Sequence, residues 1–444
     1  MDPILSLALY LFLFFGLSSF FRMPIAFAMG IAALALAYFN NIALIRIPMT
    51  AFGSIDSFAF LAIPFFLYAG VLMQHGGLAS SLLDFTKSLI GRIRGSLGAV
   101  AIAGSMLFGA LTGSAMACIS AIGGIMIPEM VKEGYSKGYS AALCSAASFL
   151  GILIPPSVPG IMYGLASGQP IASVWLATLT PGIFLGILFI AVNYLVYARK
   201  LPKVKSSFHF GSYLKNIQHK TQKASLGIAL PVIIFGGVYG GIFTPTEAGA
   251  VAVVYGICVL LGRRYYRKFI GTSLIKEDEV GFYEITKKSA ILTATIALII
   301  VFAVLSGRII TVLGISRELA NFFTNHVTSP IMFLLFLNVL LLFFGIFMDI
   351  NTSILITTPL ILPSANALGI DPIHLGGLMI LNLSIGFITP PFAASIFIGC
   401  KIADISFDRA VPHIIPFFLA GLITLLITTF WPDFILFLPN YISP

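Results

Sequence analysis

Two stretches of the sequence share one arrangement. Gly151-Ile152-Leu153-Ile154-Pro155-Pro156 and Gly386-Phe387-Ile388-Thr389-Pro390-Pro391 both read Gly-x-x-x-Pro-Pro inside apolar runs. Adjacent prolines remove two backbone donors and clash with the preceding turn, so a helix breaks there. The carbonyls left without helical partners, together with Ser and Thr hydroxyls, are oxygen ligands suited to a hard cation such as sodium. Two small polar clusters supply the rest of such a donor set. One is Leu111-Thr112-Gly113-Ser114-Ala115, and the other is Met348-Asp349-Ile350-Asn351-Thr352-Ser353. Asp349 is an acid in apolar surroundings, which is costly and usually functional. Arg308, inside the apolar run 291–313, either pairs with Asp349, meets a substrate carboxylate or snorkels to the surface. Glu247 reads differently. Thr244-Pro245-Thr246-Glu247 is a capping box with proline at the first helical position. His374 and His413 lie near span ends and read as interfacial residues rather than proton relays.

These residues need elements that hold them in lipid. The chain of 444 residues is 59% hydrophobic and only 9% charged, whereas soluble domains carry about 25% charged residues. Apolar stretches such as 4–21, 174–198 and 289–307 are each long enough to cross a bilayer. No basic n-region precedes the first stretch, so it reads as a span that stays rather than a signal peptide. The net charge of +9 does not point to nucleic acid, because the basic residues fall between spans. Cys118, Cys144, Cys258 and Cys400 sit in apolar segments without metal-ligand spacing. No Gly-rich phosphate loop occurs, and no nucleophile–base pair or His/Asp/Glu cluster suggests an enzyme.

Of the 25 Lys and Arg residues, 22 fall on one side when loops are sorted alternately, and Arg46, Arg308 and Arg317 on the other. The richer side is expected in the cytoplasm, which puts the N-terminus outside. Residues 98–128 are apolar, yet both flanks, Arg94 and Lys132, belong to the richer side. Two full spans need about 40 residues plus a turn, so this segment is expected to be a re-entrant hairpin with half-helices of about 13 residues each, roughly 20 Å long. A second hairpin, 330–363, enters from the opposite face. A shift of 235 residues places Pro128 on Pro363, Gly134 on Gly369, Gly151 on Gly386, Pro155-Pro156 on Pro390-Pro391, Gly164 on Gly399 and Pro181 on Pro416. The expected architecture is therefore an all-α polytopic membrane protein built as an inverted repeat, each half holding five spans, one hairpin and one broken helix. The first half is 1–200 (hairpin 98–128, broken helix 138–165), followed by a cytoplasmic linker, 201–222. The second half is 223–444 (hairpin 330–363, broken helix 375–400). Residues 78–93 suit an amphipathic helix along the inner interface, bracing the moving part.

At Gly240-Gly241-Ile242-Phe243-Thr244-Pro245-Thr246-Glu247, at 151–163 and at 386–391 the sequence resembles the large membrane subunit of tripartite ATP-independent periplasmic (TRAP) transporters. The resemblance covers nearly the whole chain. It implies a sodium-driven elevator in a bacterial or archaeal inner membrane, with Na+ as coupling ion and no cofactor. It also implies two partners: a small membrane subunit of four spans and a periplasmic binding protein that delivers an organic anion. That anion is a C4-dicarboxylate, a sialic acid or another sugar acid. The sequence opens directly on the large subunit's first span, so the small subunit is expected as a separate chain. Carried over by position, one sodium site takes Thr112, Ser114, Gly151, Ile154 and Pro156. The symmetric site takes Asp349, Thr352, Gly386, Thr389 and Pro391. Substrate contacts are expected from Ser114, Ser157, Arg308, Asp349 and Asn351. The competing reading is an ion or anion antiporter, or a channel, that needs no binding protein.

Overall fold

The computed structural model of the protein describes residues 2–43, 45–91, 95–197, 210–270, 280–327, 329–390 and 393–442. Every regular element among them is helical. The first half contributes α1 (Pro3–Ser19), α2 (Ile25–Phe39), α3 (Arg46–Ile55), α4 (Phe58–His75) and α5 (Leu78–Ile90). It continues with α6 (Ser96–Thr112), α7 (Ala115–Lys132), α8 (Lys137–Leu153), α9 (Val158–Ser167) and α10 (Ile171–Val196). The second half contributes α11 (Phe210–Tyr239), α12 (Pro245–Ile270), α13 (Phe282–Val312), α14 (Ile315–His326) and α15 (Pro330–Phe347). It ends with α16 (Ile350–Ala367), α17 (Pro372–Gly386), α18 (Ala394–Ala403), α19 (Phe407–Phe430) and α20 (Pro432–Ile442). Eight described helices are each long and apolar enough to cross a bilayer, and α8 with α9 form a bent pair at 43°. Large apolar side chains such as Phe12, Ile187, Val232, Phe336 and Val339 are exposed around the outside. Such a surface suits lipid rather than water.

The inverted repeat extends beyond the glycines and prolines. The same 235-residue offset relates Ser136 to Asp371. Ser136 caps α8 by accepting from the Tyr139 amide, and Asp371 caps α17 by accepting from the Ile373 and His374 amides. Three positions on, Tyr139 donates its hydroxyl proton to Asn193 Oδ1, while His374 Nε2 bonds to the Thr428 carbonyl at 2.8 Å. These pairs are also equivalent under the offset, so each broken helix is tied to the following span at the same place. His374 is thus buried inside a helix–helix contact, not interfacial as the sequence suggested. Its place near a span end did not reveal that α19 covers it.

The hairpins are longer than expected. Their arms run 17 residues in α6 and 18 in each of α7, α15 and α16. Polar ends such as 129–132 and 364–367 continue the helices, where the sequence reading stopped at Pro128 and Pro363. Glu129 is held there by Lys87 of α5 at 2.9 Å. The linker also shortens, since α11 begins at Phe210 and takes in residues 210–222. No proline interrupts that stretch before Pro231, and Lys220 pairs with Asp84 of α5 at 2.6 Å. Among the described residues, α5 is an amphipathic helix within the stretch 78–93. It buries Leu78, Ala79, Leu82 and Leu83 and packs on α6 and α11.

The halves interlock. The second part of the first broken helix, α9, packs on α16 of the second hairpin, while α18 packs on α7 and α8. Ser145 and Ser148 donate to the carbonyl and hydroxyl of Ser395, and Tyr163 donates to the Pro372 carbonyl. Polar side chains buried among helices find partners in this way, and each bond fixes one repeat on the other.

Candidate functional site

Each hairpin turns at a capping residue. Ser114 caps α7, its hydroxyl accepting weakly from the Ala117 amide at 3.4 Å. Asp349 caps α16, its carboxylate accepting from the Asn351 amide at 3.0 Å. The two are equivalent under the 235-residue offset. Gly113, between Thr112 and Ser114, has φ +58°, and a methyl group there would lie 2.8 Å from the Pro156 carbonyl oxygen. Only glycine lets the first tip turn and rest on the first helix break.

Behind the tips, a second pair of glycines sets the depth of each hairpin against its broken helix. A methyl on Gly109 would lie 2.0 Å from the Gly151 Cα, and one on Gly386 would lie 2.5 Å from the Gly345 oxygen. In both repeats the hairpin's first arm therefore crosses the broken helix backbone to backbone, just before the break. Sequence inspection found Gly151 and Gly386 but not their partners.

The two tips meet. One cavity of about 370 Å³ is lined by Thr112, Gly113 and Ser114 from the first tip and by Asp349, Ile350 and Asn351 from the second. Val158 and Pro159 after the first break, and Phe387 after the second glycine, complete that wall. The remaining lining comes from α4, through Leu67, Gly70, Val71 and Gln74, and from α13, through Lys288, Leu292 and Ile296. Both tips line this one cavity, although α7 and α15 are each long and apolar enough to cross a bilayer.

Oxygen atoms gather around the second tip. Asn351 Oδ1, Thr352 Oγ1 and Ser353 Oγ are buried and have no hydrogen-bond partner among the described residues. Buried polar atoms without partners cost free energy, and of the three residues Asn351 lines the cavity, where a ligand can supply the partner. A desolvated hard cation suits that donor set. At the first tip, Thr112 Oγ1 donates to the Phe108 carbonyl and keeps its lone pairs. Thr389 Oγ1 donates to the Ile385 carbonyl, and Ile154, at the end of α8, is buried. Pro391 lies outside the described residues.

Two expected substrate residues stand apart. Ser157 is buried, its hydroxyl accepts from the Gly160 amide, and its carbonyl accepts from Trp175. It caps α9 rather than facing the cavity. Arg308 does not pair with Asp349, and none of the ion pairs among the described residues includes it. It is exposed, while the adjacent Gly307 faces Pro359 of α16. Ile296, the last cavity residue of α13, is twelve positions away, or about 18 Å along the helix. Glu247 is a cap as expected: its carboxylate accepts from the Thr244 amide and hydroxyl, and its amide donates to Thr244 Oγ1. Gln74 and Lys288 were missed. Lys288 was grouped with the loop charges, although its spacing with Leu292 and Ile296 places all three on one helix face.

An all-helical inverted repeat, with two hairpin tips meeting at one cavity, is the architecture of a secondary-transporter permease. The chain belongs to the family described as the tripartite ATP-independent periplasmic transporter, DctM component, which it matches over residues 11–434. It is 36% identical over 412 residues to the C4-dicarboxylate TRAP transporter large permease protein of Pseudomonas aeruginosa, covering 93% of both chains. It is 34% identical to the sialic acid TRAP transporter large permease protein of Vibrio cholerae, covering 95% of this chain and 96% of that one. It is also 35% identical to the isethionate TRAP transporter permease protein of Oleidesulfovibrio alaskensis, spanning 95% of this chain but 65% of that protein's length. In fold it is similar to the crystal structure of the Alcanivorax borkumensis YdaH transporter, with a TM-score of 0.62 at 15% identity over 88% of this chain and 89% of that one.

Proposed function

We propose that the chain is the large permease subunit of a sodium-coupled uptake system for an organic acid. The observation that carries this reading is the single cavity shared by both hairpin tips, backed by the unpartnered oxygens of Asn351, Thr352 and Ser353. Sodium is held by Thr112, Ser114, Gly151, Ile154 and Pro156 in one repeat and by Asp349, Thr352, Gly386, Thr389 and Pro391 in the other. Ser114, Asp349 and Asn351 face the substrate. The relatives' names specify C4-dicarboxylate, sialic acid and isethionate, so the shared chemistry is a carboxylate or sulfonate on a small polar body. A periplasmic binding protein delivers it, and a small membrane subunit of four spans completes the complex.

Movement is of the elevator type. The body of α6–α10 and α15–α20 carries the tips, and α1–α5 with α11–α14 stay fixed. The complex lies in the inner membrane with the N-terminus outside. Two sodium ions crossing 100 mV release roughly 4.6 kcal/mol, of which a monoanionic substrate takes back about half.

The test uses proteoliposomes holding the chain with its small subunit and binding protein, offered succinate, N-acetylneuraminate and isethionate. Uptake of at least one acid is expected under an inward sodium gradient, with most of it lost when potassium replaces sodium. Equal uptake in potassium-only buffer would sink the coupling. Full uptake without the binding protein favours an independent antiporter.

A further inference from the structure

The cavity has one wall that the sodium sites and tips do not explain. Among its described lining residues, Lys288 carries the one positive charge and Asp349 the one negative charge. The two come from different elements, Asp349 from a hairpin tip and Lys288 from α13. Asp349 turns its carboxylate to the Asn351 amide, and the two charges make no ion pair. The neighbouring Lys287 pairs with Glu284 at 3.5 Å, but Lys288, one residue on, points to another face of the helix. That face runs through Leu292 and Ile296, and all three residues line the cavity. On α4 the same pattern holds. Leu67, Gly70, Val71 and Gln74 line the cavity, and Gln74 adds amide donors at the end of the helix.

The two helices run side by side, Tyr68 of α4 bonding Thr286 of α13 at 2.8 Å, which sets Lys288 near the level of Leu67 and Gln74 further toward the end of α4. Gln74 is one residue from the last of α4, and Lys288 is in the second turn of α13. By the alternate sorting of loops, the side where α4 ends and α13 begins is the one richer in Lys and Arg. A cavity with a carboxylate on one wall repels a second carboxylate unless a cation stands nearby. In a partly desolvated space that repulsion is stronger than in bulk water. A lysine ammonium on a four-carbon stem reaches across such a space and donates in three directions.

Resting on the organic-acid reading above, we infer that Lys288 is the cavity's anion subsite outside the two tips and takes the substrate's carboxylate or sulfonate on its way out to the cation-rich side. It is a specificity-determining residue for release. Because it sits in the second turn of α13, toward the cation-rich side, it acts on that side of the membrane. Neutralising it weakens substrate on that side and leaves the other side unchanged.

The experiment uses the reconstituted complex and whichever of succinate, N-acetylneuraminate or isethionate the wild type carries. Half-saturation is measured separately for substrate outside and, in counterflow, for substrate inside. Lys288→Gln is expected to raise the inside value about tenfold, the loss of one charge-assisted hydrogen bond. The outside value stays unchanged, and Lys288→Arg restores the inside value. A structural role moves both sides together, so equal shifts overturn the inference, as does no shift at all. Lys288→Cys, made in a chain whose exposed Cys258 is replaced by serine, gives a readout without transport. Negatively charged and positively charged methanethiosulfonate reagents applied from inside are both expected to label the introduced thiol, and an unreactive thiol overturns the placement in the cavity. If the introduced thiol reacts but the wild type carries none of the three acids, the organic-acid reading fails and the release role falls with it.

Discussion

Ser114 and Asp349 hold equivalent positions in the two repeats and cap equivalent helices, yet they bring different chemistry to one cavity. Asp349 brings charge. Its carboxylate lines the cavity and accepts from the Asn351 amide among the donors of its own turn, so replacing it removes a ligand and a counter-charge rather than core packing. Asp349→Ala is expected to lower uptake by about ten- to a hundredfold, the range for losing a charged hydrogen-bonding group, with normal membrane insertion. Ser114→Ala is expected mainly to raise the sodium concentration that half-saturates uptake. Glu247→Gln changes little, because an amide still completes the capping box with Thr244. Sodium-titrated uptake of the three variants checks the order. Silence from Asp349→Ala together with failure of Glu247→Gln misplaces the site. The tip residues were legible because polar side chains stand out in an apolar run. Arg308 and Lys288 were misjudged for one reason: charge in a sequence does not tell which helix face, or which depth, carries it.

At the scale of elements, the repeat was legible where glycine and proline mark it and illegible where the offset slips. Gly151 and Gly386 are 235 residues apart, but their crossing partners Gly109 and Gly345 are 236 apart, so a rigid shift passes over them. Hairpin length was misread because helix continues through polar residues at the membrane surface, where hydropathy gives no signal. The crossings themselves are demanding. Gly109→Ala puts a methyl 2.0 Å from the Gly151 Cα, and backbone has to move to admit it. Overpacking of this kind costs about 1–3 kcal/mol. The variant is expected to unfold at a lower temperature in detergent and to transport poorly. Gly16→Ala, where nothing lies within 4 Å, is the control and is expected to be at least as stable as wild type, since alanine favours helix. Equal melting of the two variants would refute the crossing as a constraint.

The whole molecule divides by the kind of contact it uses. Within the interlocked hairpins and broken helices, buried serines, Tyr163 and His374 bond across elements. Between that body and α4, α5, α11 and α14, contacts are of mixed kind. Phe66 meets Trp175 edge-on at 5.5 Å, Tyr239 donates to the Ala172 carbonyl, Ser316 donates to the Pro359 carbonyl, and Lys87 pairs with Glu129. The last of these offers a test of movement. Both side chains are 42% exposed, and an exposed ion pair contributes about 0–1 kcal/mol, so losing it leaves fold and uptake near wild type. It joins α5 to α7, across the boundary along which the tip-bearing body is proposed to slide. With the exposed Cys258 replaced by serine, Lys87→Cys with Glu129→Cys is expected to transport normally while reduced. Closing a disulfide or a short thiol cross-link there stops uptake if α7 moves several ångströms against α5, and reduction restores it. A complete cross-link, verified by mass, that leaves uptake unchanged means that this boundary does not slide. Motion would then be confined to the tips, within a cavity whose α4 and α13 wall stays in place.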